Sequence, residues 1–263
     1  MVLGLIRWTH RGGRAARRVA RSASVTLLAF GLACLGGPTG PKLIGEGRRV
    51  LFIGNSYLYL QDIPGIVQAL ADSAKGDKLA IETVAGPDMA LVDHWVSGAA
   101  RGEVLKGGWE WVVLQQGPSS VAVNRDTLRL VTKLFADLMA PGKAKPALFS
   151  AWPSSSRFQD FPRAIASYSL AASDVNGVFL PVASAWLGAW SRDPSIELYL
   201  DDLHPSIEGA YLSALVVYGR LLGKSTKGLP NGLRLHSGAS FTIPASVAAT
   251  LQAAADSALA STP

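Results

Sequence analysis

A serine hydroxyl attacks a carbonyl carbon only when a neighbouring base takes its proton, and a histidine is that base when a third group fixes its tautomer. Two segments of this chain hold residues of those types. The first is Gly54-Asn55-Ser56-Tyr57, which follows the apolar run Arg49 to Ile53. A glycine at the end of a strand lets the backbone turn sharply and present the hydroxyl that follows at the sheet edge. Ser56 there is a nucleophile, or else a cap for the next helix. The second segment is Asp201-Asp202-Leu203-His204-Pro205-Ser206. An acid three residues before a histidine, on a tight turn, can reach the far imidazole nitrogen and leave the other free to accept a proton. Asp201 has that spacing and Asp202 does not, and Pro205 fixes the turn. The other histidines are His10, His94 and His236; His94, in Asp93-His94-Trp95, lies in a helical pattern and reads as a packed or surface residue, with lining of the substrate cleft as the alternative.

These segments need elements that bring them together. Short apolar runs at Arg49 to Ile53, Leu79 to Val84, Trp111 to Leu114, Ala147 to Phe149 and Val178 to Val182 read as buried strands. Helical patterns cover Ile63 to Ala74, Met89 to Arg101, Thr127 to Met139, Ala164 to Ala172 and Ile207 to Leu222, and the alanine-rich tail from Pro244 to Ala260 predicts a last helix on the surface. Strands alternating with helices imply βαβ units, so the expected architecture is a three-layer α/β/α sandwich with a mainly parallel five-stranded sheet, flavodoxin-like, in one domain over residues 45–263. Ligands of such sheets bind beyond the carboxyl ends of the strands, where the Gly54 loop must lie.

Taken as a pair, Gly54-Asn55-Ser56 and Asp201-x-x-His204-Pro205 resemble the first and last blocks of the SGNH/GDSL hydrolases, with Asn55 in place of the more usual Asp. The resemblance implies Ser56 as nucleophile, His204 as base and Asp201 as the orienting acid of a carboxylic ester hydrolase working through an acyl-enzyme. Two middle blocks of that family supply the oxyanion hole, whose donors meet the charge that develops on the tetrahedral intermediate. The glycine block matches Gly86 in Val84-Ala85-Gly86-Pro87. The third block normally holds an asparagine, and Trp111-Val112-Val113-Leu114-Gln115-Gln116-Gly117-Pro118-Ser119 has none. Similarity to family members with a glutamine at this strand end makes Gln115 the first candidate donor, Gln116 the second and Ser119 the third; alternatively, a strand-end glutamine satisfies local backbone groups. The likeness runs from about Arg49 to Leu222.

Charge separates the chain into two parts. Residues 1–34 hold six arginines, no lysine and no acid; removing those six from the 25 basic residues leaves 19 against 19 acidic ones, so the body is formally neutral and no nucleic-acid partner is implied. Residues 1–40 read as an export leader and linker: an arginine-rich start, then Val25 to Ala33, an apolar stretch too short to span a bilayer. Cys34, in Gly31-Leu32-Ala33-Cys34, resembles a bacterial lipoprotein cleavage box; the alternative is an ordinary cut near Gly36 to Gly40. Export to the periplasm, the exterior or a membrane-anchored state follows, with Cys34 as the membrane link. With a single cysteine the chain forms no intrachain disulfide.

Other motifs fail. Gly219 to Ser225 has the wrong glycine spacing for a P-loop and follows a helix, no Gly-x-Ser-x-Gly elbow occurs, and no metal-binding cluster or cofactor fingerprint is present. The substrate expected is a small-molecule or glycan ester; Trp152, Trp186 and Trp190 could stack on a sugar, though core packing is the favoured account of them. Two rival readings are a non-catalytic cell-surface binding protein that retains this fold and a phosphate-binding module built on the Gly54 loop.

Overall fold

The computed structural model describes residues 45–74 and 77–262; the leader and Cys34 lie outside the described residues. The elements run β1 (Arg48–Gly54), α1 (Ser56–Tyr59), α2 (Ile63–Ser73), β2 (Leu79–Ala85), α3 (Leu91–Ser97), α4 (Ala99–Leu105), β3 (Trp111–Leu114), α5 (Ala122–Met139), β4 (Lys145–Phe149), α6 (Phe161–Ser173), β5 (Val178–Leu180), α7 (Val182–Arg192), α8 (Ile207–Leu222), β6 (Gly232–Arg234), β7 (Ser240–Thr242) and α9 (Ala245–Ala260). Five strands pair in parallel in the order β2-β1-β3-β4-β5, and β6 and β7 form a separate antiparallel hairpin. This is the expected three-layer sandwich.

The central strands are apolar on both faces, as a sheet covered on both sides requires: Val50, Leu51, Phe52 and Ile53 of β1 and Val112, Val113 and Leu114 of β3 are fully buried. One helical layer holds α3 to α6 and the other α2, α7 and α8, with α9 packed on α7 and α8. In α5 the buried residues Leu128, Val131, Thr132, Phe135 and Met139 recur every three or four positions, one stripe against the sheet. Helix α8 is buried along most of its length, because the sheet lies on one side and α2 and α9 cover the others. The alanine-rich tail is the helix expected, and small side chains let it sit close: Leu251 and Ala255 are fully buried against its neighbours.

Differences from the sequence reading have local causes. The helix expected over Met89 to Arg101 is two, α3 and α4, hinged at Gly98 in the left-handed region (φ 84°). The strand expected over Val178 to Val182 ends at Leu180, because Pro181 cannot donate to the ladder, and α7 starts directly after it. Helix α7, the one-turn α1 and the β6–β7 hairpin were not expected from the sequence.

Candidate active site

Strand β1 delivers the serine. Its last residue, Gly54, is a glycine for want of space: a Cβ there would lie 2.3 Å from Gln115 Oε1 and 2.6 Å from Leu58 Cδ1. The next residue, Asn55, is the helix cap, its Oδ1 accepting from the Tyr57 amide at 3.2 Å. Ser56 is therefore the first residue of α1 and is released from capping. Its hydroxyl lies 3.0 Å from His204 Nε2, and its own N–H is among the amides the first turn of a helix cannot use.

The histidine comes from the loop before α8. Tyr199 and Pro205 bridge, the Leu200 amide donates to the His204 carbonyl at 2.8 Å, and Ser206 caps α8 through the Gly209 amide. Inside this loop Asp201 closes a small ring: Oδ1 accepts from the Leu203 and His204 amides at 2.6 and 2.7 Å, and Oδ2 faces His204 Nδ1 at 2.8 Å. The His204 amide, the imidazole and the Leu203 amide, in that order, stabilise the ionised form and hold the Asp201 carboxyl down at about 2. A carboxylate can only accept, so Nδ1 carries the proton and the lone pair of Nε2 faces Ser56.

The loop is in turn tied to the loop after β4. Trp152 Nε1 donates to the Leu203 carbonyl at 3.0 Å and the Tyr199 hydroxyl to the Pro153 carbonyl at 2.6 Å. Asp202 turns away from His204 and accepts from the Ser155 hydroxyl at 2.5 Å and the Ser156 amide at 3.1 Å, while its carbonyl accepts from the Ser155 amide at 2.9 Å. Beneath lies a column of rings: Tyr57 stacks on Trp152 at 5.0 Å, Trp152 on Trp186 at 3.9 Å, and Trp186 meets Trp190 edge-on at 5.7 Å. Trp152 and Trp186 are fully buried, so these indoles pack the core under the site and do not face a sugar.

No protein-family model matches the sequence, and no curated protein matches it. Solved structures do match. A DUF4886 family protein from Bacteroides uniformis aligns with a TM-score of 0.69 over 82% of this chain and 95% of its own, at 14% identity. A protein from Slackia heliotrinireducens assigned to the SGNH hydrolases aligns at 0.58 over 67% and 100%, at 21% identity. An acetyl-xylooligosaccharide esterase from Geobacillus stearothermophilus aligns at 0.50 over 68% and 94%, at 14% identity. The fold is that of the SGNH hydrolases. In an SGNH fold, as in other doubly wound sheets, strand ends and the loops beyond them converge on the carboxyl edge, which is why β1 and the loop before α8 meet there.

A cleft of about 480 Å³ opens at this edge of the SGNH fold, bordered by Ser56, Met89, Val92, Gln116, Ser119 and Asn124. The expected oxyanion donors are disposed differently from the sequence reading. Gln115 is fully buried and its side chain is committed: Oε1 accepts from the Asn55 amide at 2.9 Å, and Nε2 donates to Asn55 Oδ1 at 3.1 Å and to the Gln116 carbonyl at 2.6 Å. It clamps the serine loop and offers the cleft no free donor. The Gly86 amide is likewise used, donating to the Gly54 carbonyl at 3.2 Å as the β1–β2 ladder runs out. Gln116 does reach the cleft wall, with Oε1 on the Leu91 amide at 3.0 Å and Nε2 on the Ser119 hydroxyl at 2.8 Å; Ser119 sits in the left-handed region at φ 56°. Tyr168, donating to the Gln116 carbonyl at 2.7 Å, and the cleft residue Asn124 escaped the sequence reading. Nothing in their local pattern announces them, since both act from helices whose faces only the packed sheet defines.

Proposed function

We propose that this protein is an exported serine esterase that cleaves carboxylic esters through Ser56, His204 and Asp201. The observation that carries the reading is the unbroken relay from Asp201 Oδ2 to His204 Nδ1 at 2.8 Å and from His204 Nε2 to Ser56 Oγ at 3.0 Å, open to a cleft. Ser56 Oγ attacks the acyl carbon while His204 Nε2 takes its proton. The oxyanion forms near the Ser56 amide at the start of α1, and the alcohol leaves with the proton from His204, giving an acyl-enzyme. A water then attacks the acyl carbon, losing its proton to the same nitrogen, and the acid departs as Ser56 regains its hydrogen. Asp201, ionised throughout, stabilises the imidazolium.

The cleft combines apolar walls, Met89 and Val92, with the amides of Gln116 and Asn124, a setting for a short acyl chain on a polar alcohol. Together with the likeness to an esterase of acetylated xylo-oligosaccharides, this favours an acetyl ester of a carbohydrate. Incubating the purified domain with p-nitrophenyl acetate and a fluorophosphonate should give hydrolysis and a single label on Ser56, located by mass spectrometry. Label absent from Ser56 turns the assignment towards a binding protein of the same fold. Export rests on the arginine-rich start and the short apolar run after it. N-terminal sequencing of protein from its native cell should find the mature chain beginning between Cys34 and about Ile44; a chain beginning at Met1 or Val2 refutes export.

A further inference from the structure

His94, in α3, is almost fully buried (1% exposed), and its Nε2 lies 2.7 Å from the Gly54 carbonyl. A carbonyl only accepts, so Nε2 carries the proton and Nδ1 is the bare nitrogen; Nδ1 is buried without a hydrogen-bond partner among the described residues. Burial holds the ring below the ordinary histidine pKa, against the opposing pull of the Gly54 bond and Asp93, so the buried ring is neutral. A leucine would fill this volume without the cost of burying an unmet polar atom. The single bond that His94 makes is what that cost sets in place.

The bond falls on a peptide unit that matters. The Gly54–Asn55 peptide is one rigid plane. Its carbonyl receives His94 Nε2 and the Gly86 amide, and its N–H donates to Gln115 Oε1 at 2.9 Å. Close packing imposes a glycine at 54, and glycine is the residue least able to hold its own dihedrals. The plane leading to Ser56 is therefore gripped from both sides by buried side chains of α3 and of the β3 end.

We propose that His94 is a positioning residue for the nucleophile, a neutral donor that fixes the Gly54–Asn55 plane and through it the aim of the Ser56 hydroxyl and amide. This rests on the esterase reading of Ser56. The test compares His94→Gln, whose amide nitrogen falls near the ring's Nε2, with His94→Asn, whose shorter amide falls near Nδ1 and cannot reach Gly54. Hydrolysis of p-nitrophenyl acetate, the rate of fluorophosphonate labelling and the melting temperature are measured for each. Both variants lose ring packing, so both should melt lower. The Asn variant should lose about 10- to 100-fold in kcat and in labelling rate with KM little changed, the scale of loss when a reacting group is misplaced by about 1 Å. The Gln variant should recover most of that loss. If His94→Asn does not fold, His94→Leu replaces it as the variant without a donor. Equal kcat for Gln and for the variant without a donor, or a loss confined to KM, overturns the positioning role. A wild type that neither hydrolyses nor labels overturns the esterase reading itself and, with it, this proposal.

Discussion

On the proposed reading, the proton that Ser56 loses has His204 Nε2 3.0 Å away, and the imidazole that receives it has Asp201 on its far side at 2.8 Å. A nucleophile without its base, or a base without its nucleophile, leaves the same residual chemistry, so losses should be strongly non-additive. Ser56→Ala and His204→Ala should each remove most of kcat, and the double variant should be little worse; a double variant losing the product of the two single losses contradicts the relay. Asp201→Asn should cost less, because it disturbs orientation and not the transfer itself. At this scale the sequence was uneven. The Asp201–His204 spacing was legible because a tight turn puts both side chains within a few residues of each other. The use of Gln115 was not, because it is decided by Asn55, 60 residues earlier, and spacing says nothing of a partner that distant. His94 was hidden for the same reason: a helical pattern tells that it packs, and only the end of β1 tells what it holds.

Between residue and fold, the element that decides the geometry is the short loop before α8, and its stiffness comes from outside it. Asp202 binds Ser155 and Ser156, Trp152 binds Leu203, and Tyr199 binds Pro153. Asp202→Ala removes the side-chain half of that tether without touching Asp201 or His204. We expect kcat to fall by roughly 10-fold, since a small displacement of the base is enough, and the amides of Leu203 and His204 to exchange faster in deuterium. Unchanged exchange together with unchanged kcat would show the tether to be idle. The spacing of Asp202 to His204 excludes it from the relay, and spacing is silent about the loop after β4 that Asp202 holds instead. Helix α7 is illegible for a related reason: the apolar run starting at Val178 carries on past Pro181, and where the strand stops depends on a proline that the ladder cannot use.

For the whole molecule, alternation of apolar runs and amphipathic segments made the sheet and its layers legible, while their order across the sheet was left to packing. One buried carboxyl sets a solution property of the entire domain. Glu82, on the edge strand β2, is 4% exposed, and burial first, then its neighbour Glu103, push its carboxyl up to about 7. Burial also works against charge on Glu103, but hydrogen bonds to Glu82 and Lys106 keep that carboxyl below its usual range, so the proton of the pair resides on Glu82. The folded state then holds a proton that the unfolded chain releases near the ordinary glutamate value of about 4.3, and stability should fall as pH rises from there through about 7. Between pH 5 and 8 the urea midpoint should fall more with rising pH in the wild type than in Glu82→Gln, His94 pulling the opposite way in both; parallel curves for the two contradict the assignment.

The 148 residues that separate Ser56 from His204 also govern when the chemistry can begin. Both arms rest on one hydrophobic core, in which α9 covers α7 and α8. If Ser56 is the nucleophile, a chain still emerging from the ribosome carries it far ahead of the histidine that serves it. On the proposed reading, Ser56 gains its base only when the segment that carries His204 has folded back onto the end of β1.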